Sequence, residues 1–286
     1  IPISNDRYLA VTWSGYTLLI PDKENPRKIT TEVYNNTVSQ LYRNLETRMI
    51  SAYYDPDGIV WIGTNGGGVM YSDLRSQFYN QFHQERHNEI CGIVVDNRRY
   101  VWIATYHQGI MRSDQPFDSA RRMTFAKVGP PDVLMENTVL CGIKDHKGVL
   151  WFGNNNGNLV TYDEGTAKFR KYFLSDDGQV NTASVWALYM DVKHRLWVGT
   201  NDGVWLFYPD SGKAKRIPVE KLLREETPFY VRAIVGTKDG AIWLGTANCG
   251  VCRVEIDQEE SIVVKGGYEK EANMEFHTVR SLLAKS

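Results

Sequence analysis

Cys249 and Cys252 stand as Cys-x-x-Cys in "NCGVC". That spacing serves thiol exchange when it opens a helix, and zinc binding when a second pair completes the site. Here it straddles a hairpin tip without a second pair, so a local disulfide is the remaining chemistry. Cys91 and Cys141 lie in apolar segments and read as small core residues. In "HQERH", His83 and His87 flank Glu85. The zinc-protease order needs Glu directly after the first His, so this spacing fails. "GTNGGG" lacks the Lys-Ser/Thr ending of a phosphate loop and reads as a turn. No metal and no cofactor is expected, and no Ser-His-Asp set can be singled out. What remains are side chains suited to binding: Arg48, Tyr106, His107, Asn155, Trp186, Asn201, Tyr230, Arg232 and Arg280. Amides and guanidinium groups hydrogen-bond to hydroxyls or carboxylates, and aromatic faces cover the apolar side of a pyranose. Whether these residues meet depends on the elements that carry them.

Those elements repeat. Trp61, Trp102, Trp151, Trp197 and Trp243 each follow Val, Leu or Ile and precede an apolar residue, then Gly or Ala, then Thr or Asn. Six residues before the Trp lies Asp55, Asp96, Asp145 or Asp191, with Thr237 in the last copy. Each unit reads as four short strands: an apolar strand, the Trp strand, a strand such as "GVMYSD", and a variable fourth. Nearly continuous apolar runs mean that both faces are covered. A sheet this small cannot cover both faces alone. Stacking such sheets around an axis does, which predicts a β-propeller. A sixth, weaker copy runs over Tyr8–Asp22, with Leu9 in the Trp place and no first strand before it. "HTVRSLLAKS" (277–286) matches a first strand with nothing after it. The expectation is one domain over 1–286, six four-stranded blades, with the C-terminal strand closing the N-terminal blade. A piece of a seven-bladed propeller is the alternative.

In a propeller, the hairpin between second and third strands shares a face with the start of the first strand. The binding candidates fall there. Tips carry Asn65, Tyr106, His107, Asn154, Asn155, Asn156, Asn201, Asp202 and Asn248. First-strand starts carry Arg48, Glu89, Asn137, Tyr230 and His277, with Trp186, Arg232 and Arg280 just inside. The expectation is a crown of amides, aromatics and guanidinium groups around a channel mouth. Asn also favours tight turns without any ligand, and Arg232 could be held by a carboxylate in the channel. Glu89, Asp202 and His107 are the loose candidates for an enzyme.

Net charge is -1, with 23% charged and 42% hydrophobic residues. No basic field is present to attract a phosphate backbone, which argues against nucleic acid. No apolar run approaches bilayer length, so no membrane contact is expected within the chain. The N-terminal stretch has no basic segment followed by an apolar one. The expectation is a cytoplasmic protein or one whose leader has been removed.

"DPDGIVWIGTNGGGVMYSD" (55–73) and "DVKHRLWVGTNDGVWLFYPD" (191–210) resemble the two-component regulator propeller repeat: Asp, a turn, Leu-Trp-Ile-Gly-Thr, Gly, and an Asp ending. The resemblance implies a non-catalytic periplasmic sensor of a bacterial two-component receptor, many of them from Bacteroidetes. It implies recognition of an oligosaccharide or other small ligand, and signalling through a kinase outside this chain. A second propeller or a receptor dimer partner is implied as well. A propeller lyase or hydrolase, or a protein-interaction scaffold, are the alternatives.

Overall fold

The computed structural model describes residues 2–4, 7–12, 15–21, 29–35, 49–55, 59–65, 68–73, 78–82, 89–117, 123–130, 138–176, 178–219, 229–237, 240–247, 251–256, 262–267 and 279. Among them, six four-stranded sheets follow one another along the chain, each a meander whose strands pair in sequence order. The first contains β1 (Pro2–Ser4), β2 (Arg7–Thr12), β3 (Gly15–Pro21) and β4 (Ile29–Asn35). The second contains β5 (Met49–Asp55), β6 (Ile59–Thr64), β7 (Val69–Asp73) and β8 (Phe78–Phe82). The third contains β9 (Ile90–Val95), β10 (Val101–Thr105), β11 (Gly109–Ser113) and β12 (Phe125–Lys127). The fourth contains β13 (Val139–Lys144), β14 (Leu150–Asn154), β15 (Asn158–Asp163) and β16 (Lys168–Phe173). A short ribbon, β17 (Ser175–Asp176) and β18 (Gln179–Val180), comes next. The fifth contains β19 (Val185–Met190), β20 (Leu196–Thr200), β21 (Gly203–Tyr208) and β22 (Lys213–Ile217). The sixth contains β23 (Val231–Gly236), β24 (Ile242–Thr246), β25 (Val251–Ile256) and β26 (Ile262–Gly267).

The first sheet corrects one expectation. Its first-strand place is occupied: β1 pairs with β2 through Pro2↔Tyr8 and Ser4↔Arg7. Three residues carry no readable alternation, which is why this strand escapes a pattern search. Of the C-terminal stretch expected to fill that place, only Val279 is described. Its amide donates to the Thr246 carbonyl at 2.7 Å.

The chain divides into two compact units, one of residues 1–129 with 137–139, the other built mainly of 140–284. Each has its own core. In the first unit, Trp61, Ile62, Val101, Trp102, Ile103 and Ile110 are essentially inaccessible. Phe117 packs edge-on against Trp61 with centroids 4.6 Å apart. In the second, Leu150, Leu159, Val185, Trp197, Val198, Phe207 and Val231 are equally buried.

The aspartate six residues before the tryptophan has a structural role. In the third, fourth and fifth sheets the indole Nε1 donates to Oδ2 of Asp96, Asp145 and Asp191, at 2.8, 2.9 and 3.0 Å. Oδ1 of each accepts two backbone amides of the turn that follows. One carboxylate thus ties the β-turn to the buried ring.

The small residue after the Trp strand is where consecutive sheets interlock. A methyl on Gly199 would sit 2.7 Å from Val231 Cγ1, and one on Gly245 would sit 2.6 Å from Val279 Cγ1. Gly153 meets Val185 in the same way, and Gly63 meets Ile90. The first residue of one inner strand therefore plugs the gap left by the preceding sheet's glycine.

Candidate functional site

Hairpin tips and first-strand starts do share one end of each sheet. Within the third sheet the Tyr106 amide donates to the Glu89 carbonyl at 3.0 Å; within the fifth, Asn201 N donates to Ser184 O at 3.1 Å; within the sixth, Ala247 N donates to Tyr230 O at 2.9 Å. Neighbouring sheets are tied there too. Asn65 bridges to Glu89, Ser184 Oγ donates to Asn155 O at 3.0 Å, and Gly203 N donates to Phe229 O at 3.0 Å. The Thr138 hydroxyl donates to the Tyr106 carbonyl.

The same end carries a recurring bulge. Pairing shifts by one residue between Met49 and Ser51, Val185 and Ala187, and Val231 and Ala233. In the third sheet Ile90 and Gly92 pair with Thr105 and Ala104, leaving Cys91 between them. The extra residues are Ile50, Cys91, Trp186 and Arg232. Each is half-buried, whereas Ile90, Val185, Ala187, Val231 and Ala233 beside them are buried. A bulge of this kind re-aims one side chain out of the ladder. In the fifth and sixth sheets the re-aimed side chains are the two that the sequence singles out. The Arg232 guanidinium carbon lies 3.8 Å from the Trp186 ring centroid, a close cation–π stack. The face of an indole is one partner of Arg232 here.

At this end of the second unit three buried polar atoms make no hydrogen bond among the described residues: Trp186 Nε1, Asn155 Oδ1 and Asn201 Oδ1. Turn chemistry explains why asparagine is tolerated at these tips, but it leaves those side-chain oxygens without partners. Asn154 shows the contrast, since its Oδ1 accepts the amides of Asn156 and Asn158 at 3.0 and 2.9 Å. Tyr230 is half-buried at the start of β23, so the second unit gathers Asn155, Trp186, Asn201, Tyr230 and Arg232 at one end. Arg232 covers one face of the Trp186 indole, and the indole nitrogen itself is buried.

Tyr106 and His107 belong to the first unit. Tyr106 is 39% exposed, and His107 meets its ring at 4.9 Å between centroids with planes at 82°. Of the enzyme candidates, Glu89 is half-buried at the Asn65 bridge and Asp202 faces Arg216 at 3.3 Å. Arg48, Arg280, Asn137, Asn248, His277, Cys249 and the His83–His87 stretch lie outside the described residues. Cys252 is buried in the core of the sixth sheet. Among the described residues no group of three or more His, Cys, Asp or Glu side chains could hold a metal ion, and no helix is long and apolar enough to cross a membrane.

Ser184 and Thr138 were missed in the sequence. Both stand thirteen residues before their tryptophans, the same offset as Glu89 and Tyr230. Strict counting from the Trp anchor finds them. At the corresponding end of the first unit, burial and the nearby Glu89 push the Cys91 thiol up to about 12, so the thiolate is scarce at neutral pH. Folded protein at pH 8 should leave Cys91 unlabelled by iodoacetamide, with labelling after denaturation. Mass spectrometry of the Cys91 peptide reads the difference, and prompt labelling in the folded state would contradict it.

The two-component regulator propeller family model matches residues 45–66 and 179–202. The chain is 27% identical over 175 residues to Histidine kinase P4 of Formosa agariphila; the match takes in 58% of this chain and 12% of that protein. The extracellular domain of a putative hybrid two-component system from B. thetaiotaomicron superposes with a TM-score of 0.65 at 17% identity, over 97% of this chain and 37% of that one. Virginiamycin B lyase from Staphylococcus aureus superposes with a TM-score of 0.59 at 15% identity, over 78% of this chain and 71% of that one. At such identities the likeness is one of fold, and the fold is an all-β propeller. The chain spans about an eighth of the kinase's length and 37% of the sensor domain's.

Proposed function

Because the chain carries two-component regulator propeller repeats, we propose that it is the ligand-sensing portion of an extracytoplasmic bacterial receptor, periplasmic and attached to the inner membrane. On this reading it forms one propeller domain over 1–286 and catalyses nothing itself. It binds an oligosaccharide at the tip end of the second unit, and a kinase outside this chain reads the result. A second propeller or a second receptor copy shares the bound state. Ligand affinity that differs between two receptor arrangements is what shifts the balance between them.

The observation that carries this reading is the trio of unpaired buried atoms, Asn155 Oδ1, Trp186 Nε1 and Asn201 Oδ1, at the end of the sheets that also holds the Arg232–Trp186 stack. An unpaired buried polar group costs about 1–3 kcal/mol. A ligand hydroxyl satisfies an acceptor by donating and a donor by accepting, so a sugar relieves both kinds at once. A glycan array on the whole chain selects the ligand, and calorimetry then compares variants. Asn155→Ala with Asn201→Ala should weaken binding at least tenfold, roughly the effect of one lost hydrogen bond. Trp186→Phe should weaken it by a similar factor. Unchanged affinity in both removes this end from consideration. An array without a single glycan bound, together with specific capture of a protein, would favour the scaffold.

A further inference from the structure

A second cleft lies in the same unit, farther out along the fifth sheet. The β17–β18 ribbon forms one wall, and β21, β22 and the Asp202 tip form the other, enclosing roughly 610 Å³. That volume is within the usual range for small-molecule sites. The ribbon is held firmly. Asp176 Oδ2 accepts the Arg216 amide at 2.9 Å. Asn181 N donates to Leu174 O at 2.8 Å, and the Asn181 side chain is closed on Ala183 at 3.0 and 3.2 Å. Within the opposite wall Arg216 Nη2 donates to the Asp202 carbonyl at 3.1 Å and to its carboxylate at 3.3 Å.

Trp205 lines this cleft. It is 3% exposed, yet its Nε1 is buried without a hydrogen-bond partner. The corresponding third-strand position is Met111 in the third sheet and Val160 in the fourth, both buried aliphatic residues. Packing therefore asks only for an apolar side chain there, and the indole adds a donor that the core does not use. Val180, 54% exposed on β18, gives the cleft an apolar face.

We propose that this cleft is a binding site for a neutral, hydroxyl-rich small molecule, a mono- or disaccharide in size, separate from the Trp186–Arg232 end. The polarity selects the class. An unpaired N–H needs an acceptor. Asp176 Oδ1 and Asp202 Oδ2 are left to accept from a ligand, and two carboxylates face one guanidinium in the lining, which disfavours an anion. A cation would face the Trp205 N–H with nothing to give it. Hydroxyl groups give and accept in turn, and the C–H face of a sugar ring covers Val180.

The test is an ¹⁵N-indole NMR titration of the whole chain, with Trp205→Phe used to assign the Trp205 signal. The probes are the methyl glycosides of glucose, galactose, mannose, xylose and arabinose, with sodium sulfate as the anion control. The expected result is a saturable shift of the Trp205 signal with at least one glycoside, and none with sulfate. Asp202→Ala should weaken that response at least tenfold, and Trp186→Phe should leave it intact. A Trp205 signal that ignores every glycoside, or that answers only to sulfate, overturns the proposal. If the Trp186 signal alone moves, the tip-end reading stands and this one falls. If Trp205 alone moves, the reverse holds.

Discussion

Replacing Asp191 with alanine is expected to destabilise the protein by about 3–5 kcal/mol, the range for breaking a buried ion pair from one side. Asp191 is 8% exposed and accepts from four donors. Lys193 N and Arg195 N reach Oδ1 at 2.9 Å each, while Arg195 Nε at 2.8 Å and Trp197 Nε1 at 3.0 Å reach Oδ2. Arg195 is itself 8% exposed, so removing the carboxylate takes a buried acceptor from its Nε and from an indole N–H. Asp191→Asn keeps an acceptor for the two turn amides and should cost less than half as much. The sixth sheet, where Thr237 stands instead, supplies the natural control. Thr237→Ala removes the hydroxyl bond to the Ala241 carbonyl, 3.1 Å long, and should cost about 1 kcal/mol. Denaturant melts of the three variants measure the order. An Asp191→Ala midpoint equal to that of Thr237→Ala would show the carboxylate network to be dispensable.

Gly199→Ala should cost about 2–3 kcal/mol for one added methyl in a filled space. That methyl would meet Val231 Cγ1 at 2.7 Å, Val231 Cβ at 3.1 Å and Ala187 Cβ at 3.2 Å. All three atoms belong to stiff side chains on paired strands, so none can swing aside. Gly165→Ala is the matched comparison. Its methyl would meet only the exposed Asp163 Oδ1 at 3.3 Å, and its stability should stay within about 0.5 kcal/mol of the parent. Thermal melts decide the matter, and equal melting temperatures for the two variants would sink the interlock.

Much of this was legible because it is periodic. The tryptophan and the four-strand unit recur in five copies, the Asp and the Gly each in four of them, and repetition separates a structural constraint from noise. The Asp was visible as a pattern, but its partner was not, since the hydrogen bond to the indole exists only once the turn is folded. Trp186 and Arg232 were placed at the correct end of their sheets. Their contact was not readable, because forty-six residues separate them and a bulge decides where each points. The β17–β18 ribbon escaped for the same reason as β1: two- and three-residue strands have no period. Trp205 escaped because an apolar strand position accepts an indole without comment; only the lack of a partner for its nitrogen makes it conspicuous.

The seating of Val231 on Gly199, and of Val279 on Gly245, has a practical corollary for anyone cutting this protein into pieces. The natural module is out of phase with the sheet: it runs past the fourth strand and ends only when the next valine has docked. Fragments trimmed at the last residue of a sheet would expose a vacant notch on one side and a stray aliphatic plug on the other. Those that run on past Ile217 as far as Val231, or past Gly267 as far as Val279, would carry their own stopper, and should be the ones that express.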